Sequence, residues 1–442
     1  MVAVPARTAA PPRFLRPFQK FAQAGALGSI ALLMCTAAAL LWANSPWAHS
    51  YELLWETPLS VAAGAGELRL SLREWINDGL MAAFFLLVGL EIKRELLVGE
   101  LSSPRQAALP IVAAAGGMAV PALIYVACNA GGAGAQGWGI PMATDIAFAL
   151  GVLQLAGPHV PLSLKVFLAA LAIVDDLGAV LVIALFYTQR IEPYAFACAA
   201  LAAAALLALN RRRVQDLGPY LLVGAMLWLF LLRSGVHATI GGIVLAMAIP
   251  TRTQSNAVEF SLRARRLLEE FDAAETGDLL VITSKGQQEA LHELDNEASR
   301  VNAPLLRLEH ALNRPVSFVV MPLFALANAG VPLEGLAGAA PQVAWGAGLG
   351  LLAGKPAGIL GSSYLAVRAG IASLPAGVTW HELRAAAVLA GIGFTMSLFV
   401  TGLAFEDRRL LDSAKLGVLL ASTLSGVIGY CLLRRRAQQP QI

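Results

Sequence analysis

The sequence predicts an all-α membrane protein of about twelve transmembrane helices, on three observations. The chain of 442 residues is 57% apolar and only 14% charged, against roughly a quarter charged in ordinary soluble domains. Apolar runs long enough to cross a hydrocarbon core of about 30 Å recur along its length. Two of those runs, the fourth and the eleventh, are interrupted by small and polar residues at corresponding places in two halves, a pattern that marks inverted repeats.

The runs lie near residues 26–45, 74–92, 107–128, 138–157, 162–187, 194–209, 217–233, 235–250, 315–330, 342–367, 384–405 and 412–433. The first follows Arg7, Arg13, Arg16 and Lys20, as a signal peptide would, but its length and the many later spans favour a retained helix. An even count puts both termini on one side, and the short-loop charges assign that side to the cytoplasm. Lys93, Arg94 and Arg105, then Arg211 to Arg213, then Arg368 and Arg384, then Arg434 to Arg436 all fall with the N-terminus. Arg408 and Arg409 are the exception, and Glu406 and Asp407 accompany them. This distribution also explains the net charge of +3 without a basic face for nucleic acid. Cys35, Cys128, Cys198 and Cys431 sit inside apolar runs with no metal or disulfide spacing and read as packing residues.

The chain therefore divides into a cytoplasmic segment 1–25, spans one to eight over 26–250, a charged insert 251–312, spans nine to twelve over 313–433, and a cytoplasmic tail 434–442. Within the first block, residues 47–73 alternate weakly, as in Glu67-Leu68-Arg69-Leu70-Ser71-Leu72, and Gly64 and Gly66 can turn the chain. A short hairpin on the outer side or an irregular loop both satisfy this pattern. The insert mixes both charge signs with leucines at helical spacing, Leu262, Leu267 and Leu268, then Leu291 and Leu294, and reads as cytoplasmic helix.

The interrupted fourth run reads Gly137-Trp138-Gly139-Ile140-Pro141-Met142-Ala143-Thr144-Asp145-Ile146, and the eleventh Ala390-Gly391-Ile392-Gly393-Phe394-Thr395-Met396-Ser397. Unwound backbone at membrane depth requires polar surroundings. The strongest anomaly lies in the fifth run, where Asp175 and Asp176 stand side by side in Leu171-Ala172-Ile173-Val174-Asp175-Asp176-Leu177. One acid at the bilayer centre costs about 2.5–3.5 kcal/mol on insertion scales, so a pair there marks a cation or proton site. Neighbours on a helix point about 100° apart, so the two cannot aim at one partner.

Lys355, in Gly354-Lys355-Pro356-Ala357-Gly358, is the natural counter-ion. Snorkelling to an interface is the other use of a lysine in a span. Thr144-Asp145 suits the cap of a second half-helix, or a fixed charge that offsets half-helix ends, and both roles are compatible. Glu91, Lys93, Arg94 and Glu95 close the second run as a solvated ion-pair cluster would. With Glu309 and His310 at the mouth of the ninth, they form the alternative of a pH-responsive group. His237, after Ser234-Gly235-Val236, reads as a packing or capping residue.

These segments resemble the NhaA family of bacterial sodium/proton antiporters over nearly the whole chain. The resemblance rests on Phe84 to Leu96, on Ala143 to Val152, on the Asp175-Asp176 segment and on Gly235-Val236-His237-Ala238-Thr239. Phe324 to Gly330, Gly354-Lys355-Pro356 and Gly391 to Ser397 extend it. It implies twelve helices with spans four and eleven crossing as broken helices, and a periplasmic hairpin at 47–73 for homodimer contacts. It implies Asp176 as the principal sodium and proton carboxylate, with Asp175 sharing the ion or pairing with Lys355. Asp145 and Lys355 would offset helix ends at the crossing, and Glu91, Glu95, Glu309 and His310 would map to a cytoplasmic pH-response region. Two departures touch that last group: Asn313-Arg314-Pro315 stands where the family often has a second histidine, and the insert is longer.

The expected activity is electrogenic, pH-regulated exchange of sodium or lithium for protons across a bacterial inner membrane, serving sodium and pH homeostasis, without a cofactor. Two rivals fare worse. An intramembrane aspartyl protease carries a Gly-x-Gly-Asp signature that neither Asp145 nor Asp175 has. A passive channel calls for a symmetric ring around one continuous pore.

Overall fold

The computed structural model describes residues 16–63, 66–157, 160–188, 191–253, 255–274, 284–332 and 340–437. Arg7 and Arg13 of the N-terminal segment, Gly64 of the expected turn, residues 275–283 of the insert and residues 438–442 of the tail lie outside them. The described chain is mostly helical, with one two-stranded sheet. It contains eight helices long and apolar enough to cross a membrane, and up to eleven spans if each of three bent pairs counts as one. The run expected as the eighth span forms only the nine-residue helix Ile240–Ala248. At 1.5 Å per residue such a helix covers roughly half of a hydrocarbon core. Gly235, with φ +80°, ends the preceding helix and uses up the start of that run.

Contacts divide the chain into two compact units. In the first, comprising residues 1–84, 95–188 and 314–442, α1 (Arg16–Ala43) is followed by α2 (Ala48–Glu56), bent 114° away. The region 47–73, expected as a hairpin or an irregular loop, therefore starts with a helix, on which Tyr51 and Trp55, one turn apart, are both buried. The hairpin itself follows as β1 (Pro58–Ala63) against β2 (Gly66–Ser71), antiparallel with Pro58 opposite Ser71 and Ala63 opposite Gly66. Ser71 then starts α3 (Leu72–Val98) through a capping box with Glu74.

The same unit holds α4 (Pro104–Cys128), the broken fourth span, α6 (Leu162–Phe186), and α13 (Pro341–Arg368). The fourth span is a 3-10 segment, Ala133–Met142, followed by α5 (Ile146–Leu155) at a bend of 46°. Helix α13 lies along α4 because small residues face each other: a Cβ on Gly116 would stand 2.5 Å from the Gly358 carbonyl oxygen and 2.6 Å from Ser362 Cβ. Such close approach is how helices associate in lipid, where apolar burial gives no preference for a neighbour over a tail. The broken eleventh span is α14 (Trp380–Ala390) and α15 (Phe394–Ala404), bent by 41°, and α16 (Arg408–Ala437) closes the unit.

The second unit, residues 85–94 and 189–313, contains α7 (Pro193–Arg211), α8 (Leu217–Ser234) and α9 (Ile240–Ala248). Its core is Leu90 from α3 with Leu206, Tyr220, Leu227 and Ile249. Gly89 lets α3 approach α9, since a Cβ there would lie 2.7 Å from that of Ala246. The insert folds as two helices, α10 (Ala257–Ala273) and α11 (Lys285–Val301), before α12 (Pro304–Asn328) begins. Leu267 is buried between them, whereas Leu262, Leu268 and Leu291 are exposed.

Candidate functional site

Asp175 and Asp176 lie mid-way along α6, 0% and 1% exposed. Neither faces lipid, and in this conformation both are closed to solvent. Their environment is set by the two broken spans, which meet at their breaks. The Asp145 amide donates to the Ile392 carbonyl at 2.7 Å, and the Ser397 hydroxyl donates to the Ile140 carbonyl at 2.7 Å. A Cβ on Gly393 would collide with the Ser397 hydroxyl and stand 3.1 Å from the Ala143 carbonyl oxygen, so the crossing needs glycine there.

Asp145 performs both roles open to it from sequence. Its Oδ1 accepts from the Phe148 amide at 3.0 Å, capping α5. Its Oδ2 accepts from the Thr395 amide at 3.2 Å and from the Thr395 hydroxyl, which places a carboxylate at the start of α15 as well. One buried acid therefore serves the N-termini of two half-helices.

The choice between carboxylates is resolved for Lys355. Its Nζ stands 2.5 Å from Asp175 Oδ2, with 0% of the lysine side chain exposed, and it also donates to the Met142 carbonyl. It does not snorkel. A π-helical turn at Gly350–Gly354 and the following Pro356 disturb the regular ladder of α13 next to this residue. Gly354 closes on Pro121 of α4, where a Cβ would come within 2.9 Å of its Cα. Thr144 brings its hydroxyl to 2.7 Å from the same Asp175 oxygen and 2.9 Å from the Ala390 carbonyl. Asp175 Oδ1 has no hydrogen-bond partner among the described residues. Asp176 acts on Lys355 through its charge.

The residues expected at the ends of the second and ninth spans are less of a cluster than their spacing implied. Arg94 bridges to Glu309, which is 4% exposed. Lys93 turns to the C-terminal end of α9, donating to the carbonyls of Met247 at 2.7 Å and Ile249 at 2.5 Å, where a cation offsets the helix dipole. Glu91 is buried rather than solvated, and Glu95 accepts from the Glu100 amide at 3.1 Å. His310 is exposed, with Nδ1 2.6 Å from the Leu306 carbonyl of its own helix. The fully solvated reading of this group is thus corrected: Arg94 is engaged by the buried Glu309 and Lys93 by a helix end, while the side chain of Arg94 keeps 25% of its surface exposed.

Sequence reasoning did not single out Thr395 as a partner of Asp145, nor the carbonyls of Met142 and Ala390. The available signal was the Thr-x-Ser step directly after Gly-Ile-Gly-Phe, hydroxyls at the N-terminal turn of a restarted helix.

The sequence model of the family described as Na+/H+ antiporter 1 matches residues 19–433. The chain is 50% identical over 434 residues to the Na(+)/H(+) antiporter NhaA of Oleidesulfovibrio alaskensis, covering 97% of this chain and 96% of that one. It is 48% identical over 425 residues to the protein of the same name from Koribacter versatilis, covering 96% and 92%. Among solved structures, the sodium proton antiporter MjNhaP1 from Methanocaldococcus jannaschii shares the fold, with a TM-score of 0.52 at 12% identity, covering 96% of this chain and 99% of that one. A multi-pass membrane chain with these matches along nearly all of its length belongs to the Na+/H+ antiporter 1 family.

Proposed function

We propose that this protein is a secondary transporter exchanging cytoplasmic sodium or lithium for external protons, the cargoes competing for the Asp175–Asp176 centre by alternating access. The observation that carries this reading is Asp175: one oxygen is held by Lys355 and Thr144, while Oδ1, in a site 0% exposed, has no hydrogen-bond partner among the described residues. An orphaned buried acceptor costs about 1–3 kcal/mol, more when charged. A proton or an alkali cation relieves that cost, and each excludes the other. An arriving cation also weakens the hold of Asp175 on Lys355, so cargo exchange and rearrangement of the ion pair are linked.

Asp176 serves as the principal carboxylate in this scheme, with Thr144, Asp145 and Lys355 completing the site. Opening to either side is a rigid-body movement of one bundle against the other. More protons enter than sodium ions leave, which makes the step electrogenic, and Glu91, Glu95, Glu309 and His310 supply pH regulation. The protein works in a bacterial inner membrane with both termini cytoplasmic, as a homodimer through the hairpin, without a cofactor. In everted membrane vesicles with an established pH gradient, sodium addition dissipates the gradient for the native chain, and Asp176→Asn abolishes that response. Full dissipation by the variant removes Asp176 from transport.

A further inference from the structure

Away from that site, a charged cavity of about 350 Å³ opens where α2, the start of α3 and the start of α16 come together. His49, Glu52, Arg73, Arg408, Asp412 and Lys415 line it. Arg408 is engaged, bridging Glu52 at 3.1 Å and Glu56 at 2.5 Å. The other two cations are not. Arg73 Nε is buried with no hydrogen-bond partner among the described residues. Lys415 is 5% exposed, and its ammonium makes no hydrogen bond or ion pair among the described residues. Asp412, three residues earlier on the same helix, attracts Lys415 from beyond ion-pair distance, while Arg73 and Arg408 repel it.

Three cations converge on this cavity, and Arg73 Nε and the Lys415 ammonium have no acidic partner within ion-pair distance among the described residues, which makes the site electropositive. We infer that this cavity binds a phosphate group, Arg73 and Lys415 donating to its oxygens. Phosphate offers several acceptors to cationic donors approaching from different sides, as α3 and α16 do here. The position favours a lipid headgroup as its source. Helix α2, at the rim, exposes Leu53 (61%) while burying Tyr51 and Trp55, and Trp47 (73%), immediately before it, is exposed as well. Exposed aromatic and aliphatic side chains at a short helix bent away from a span are the pattern of the membrane interface, where lipid phosphates lie.

The test uses the purified full chain in neutral detergent, with phosphatidylglycerol as one probe and inorganic phosphate as the other, read by thermal melting and by native mass spectrometry. Phosphatidylglycerol raises the melting temperature of the native chain, and Lys415→Gln and Arg73→Gln each weaken its binding about tenfold, the worth of one charge-assisted hydrogen bond. Lys415→Arg retains binding. Stabilisation by inorganic phosphate alone, lost in the same variants, supports the phosphate site and assigns it to a soluble source. No response to either probe, or a response unchanged in Arg73→Gln, overturns the inference even if Lys415→Gln does not fold.

Discussion

The Lys355–Asp175 pair and the insert's Arg263–Glu297–Arg300 cluster both hold a buried carboxylate, but with cations of opposite exposure. Both partners of the first are at most 1% exposed, whereas the arginines of the second are 47% and 52% exposed. Among water-exposed groups such bridges contribute about 0–1 kcal/mol. In the dry interior each ion has lost several kcal/mol of hydration, and only its partner compensates. The exposed cluster therefore fastens α10 to α11 and little more. The buried pair is sensitive to anything that changes the charge beside it, which is what an exchanger of cations requires.

The largest expected effect follows from breaking the dry pair on one side. Lys355→Ala leaves a buried carboxylate uncompensated and lowers stability by about 3–5 kcal/mol, measured as denaturation in detergent. Adding Asp175→Asn to that background recovers most of the loss. A single variant that melts like the native chain would show that the two groups are not interdependent. Next comes the crossing: Thr395→Val removes a hydroxyl from Asp145 and costs about 1–3 kcal/mol, and comparable melting curves would mean that the bond does not hold the half-helices.

The exposed cluster gives the smallest effect. Arg263→Gln leaves the melting temperature within experimental error. Burial works to raise the Glu297 carboxyl, but bonds from Arg263 and Arg300 outweigh it and hold the group below the usual carboxylate range. The sign follows from linkage: a depressed folded value adds stability above the unfolded value, and that stability fades as pH falls through the lowered one. The protection of the α10 and α11 amides against hydrogen exchange, taken relative to the intrinsic rate at each pH, therefore falls on acidification below the ordinary glutamate range. Protection that stays constant or rises over that range would mean that the arginines do not stabilise this carboxylate.

The same contrast governs what could be read from sequence. Asp175, Asp176 and Lys355 were legible because a charge in an apolar run is an anomaly whatever its partners. The breaks at Thr144-Asp145 and Gly391-Ile392-Gly393 were legible because glycine, proline and hydroxyls interrupt a periodic pattern. Thr395 was not, since one threonine in an apolar helix is unremarkable until Asp145 arrives from 250 residues away. The Met142 and Ala390 carbonyls carry no residue signature at all. Hydropathy also overstated the run at 235–250, because it counts apolar residues without registering that Gly235 adopts a left-handed turn. Nor did charge spacing tell that Lys93 would cap α9 rather than meet a neighbouring acid, which depends on tertiary placement.

The competition scheme is tested most directly by transport currents from proteoliposomes, recorded as a function of sodium at a series of pH values. Shared carboxylates make the half-saturating sodium concentration rise at least about tenfold for each unit of acidification once protons fill the site, with the maximal current unchanged. Half-saturation that stays constant while only the maximal current follows pH would place protons and sodium at separate sites.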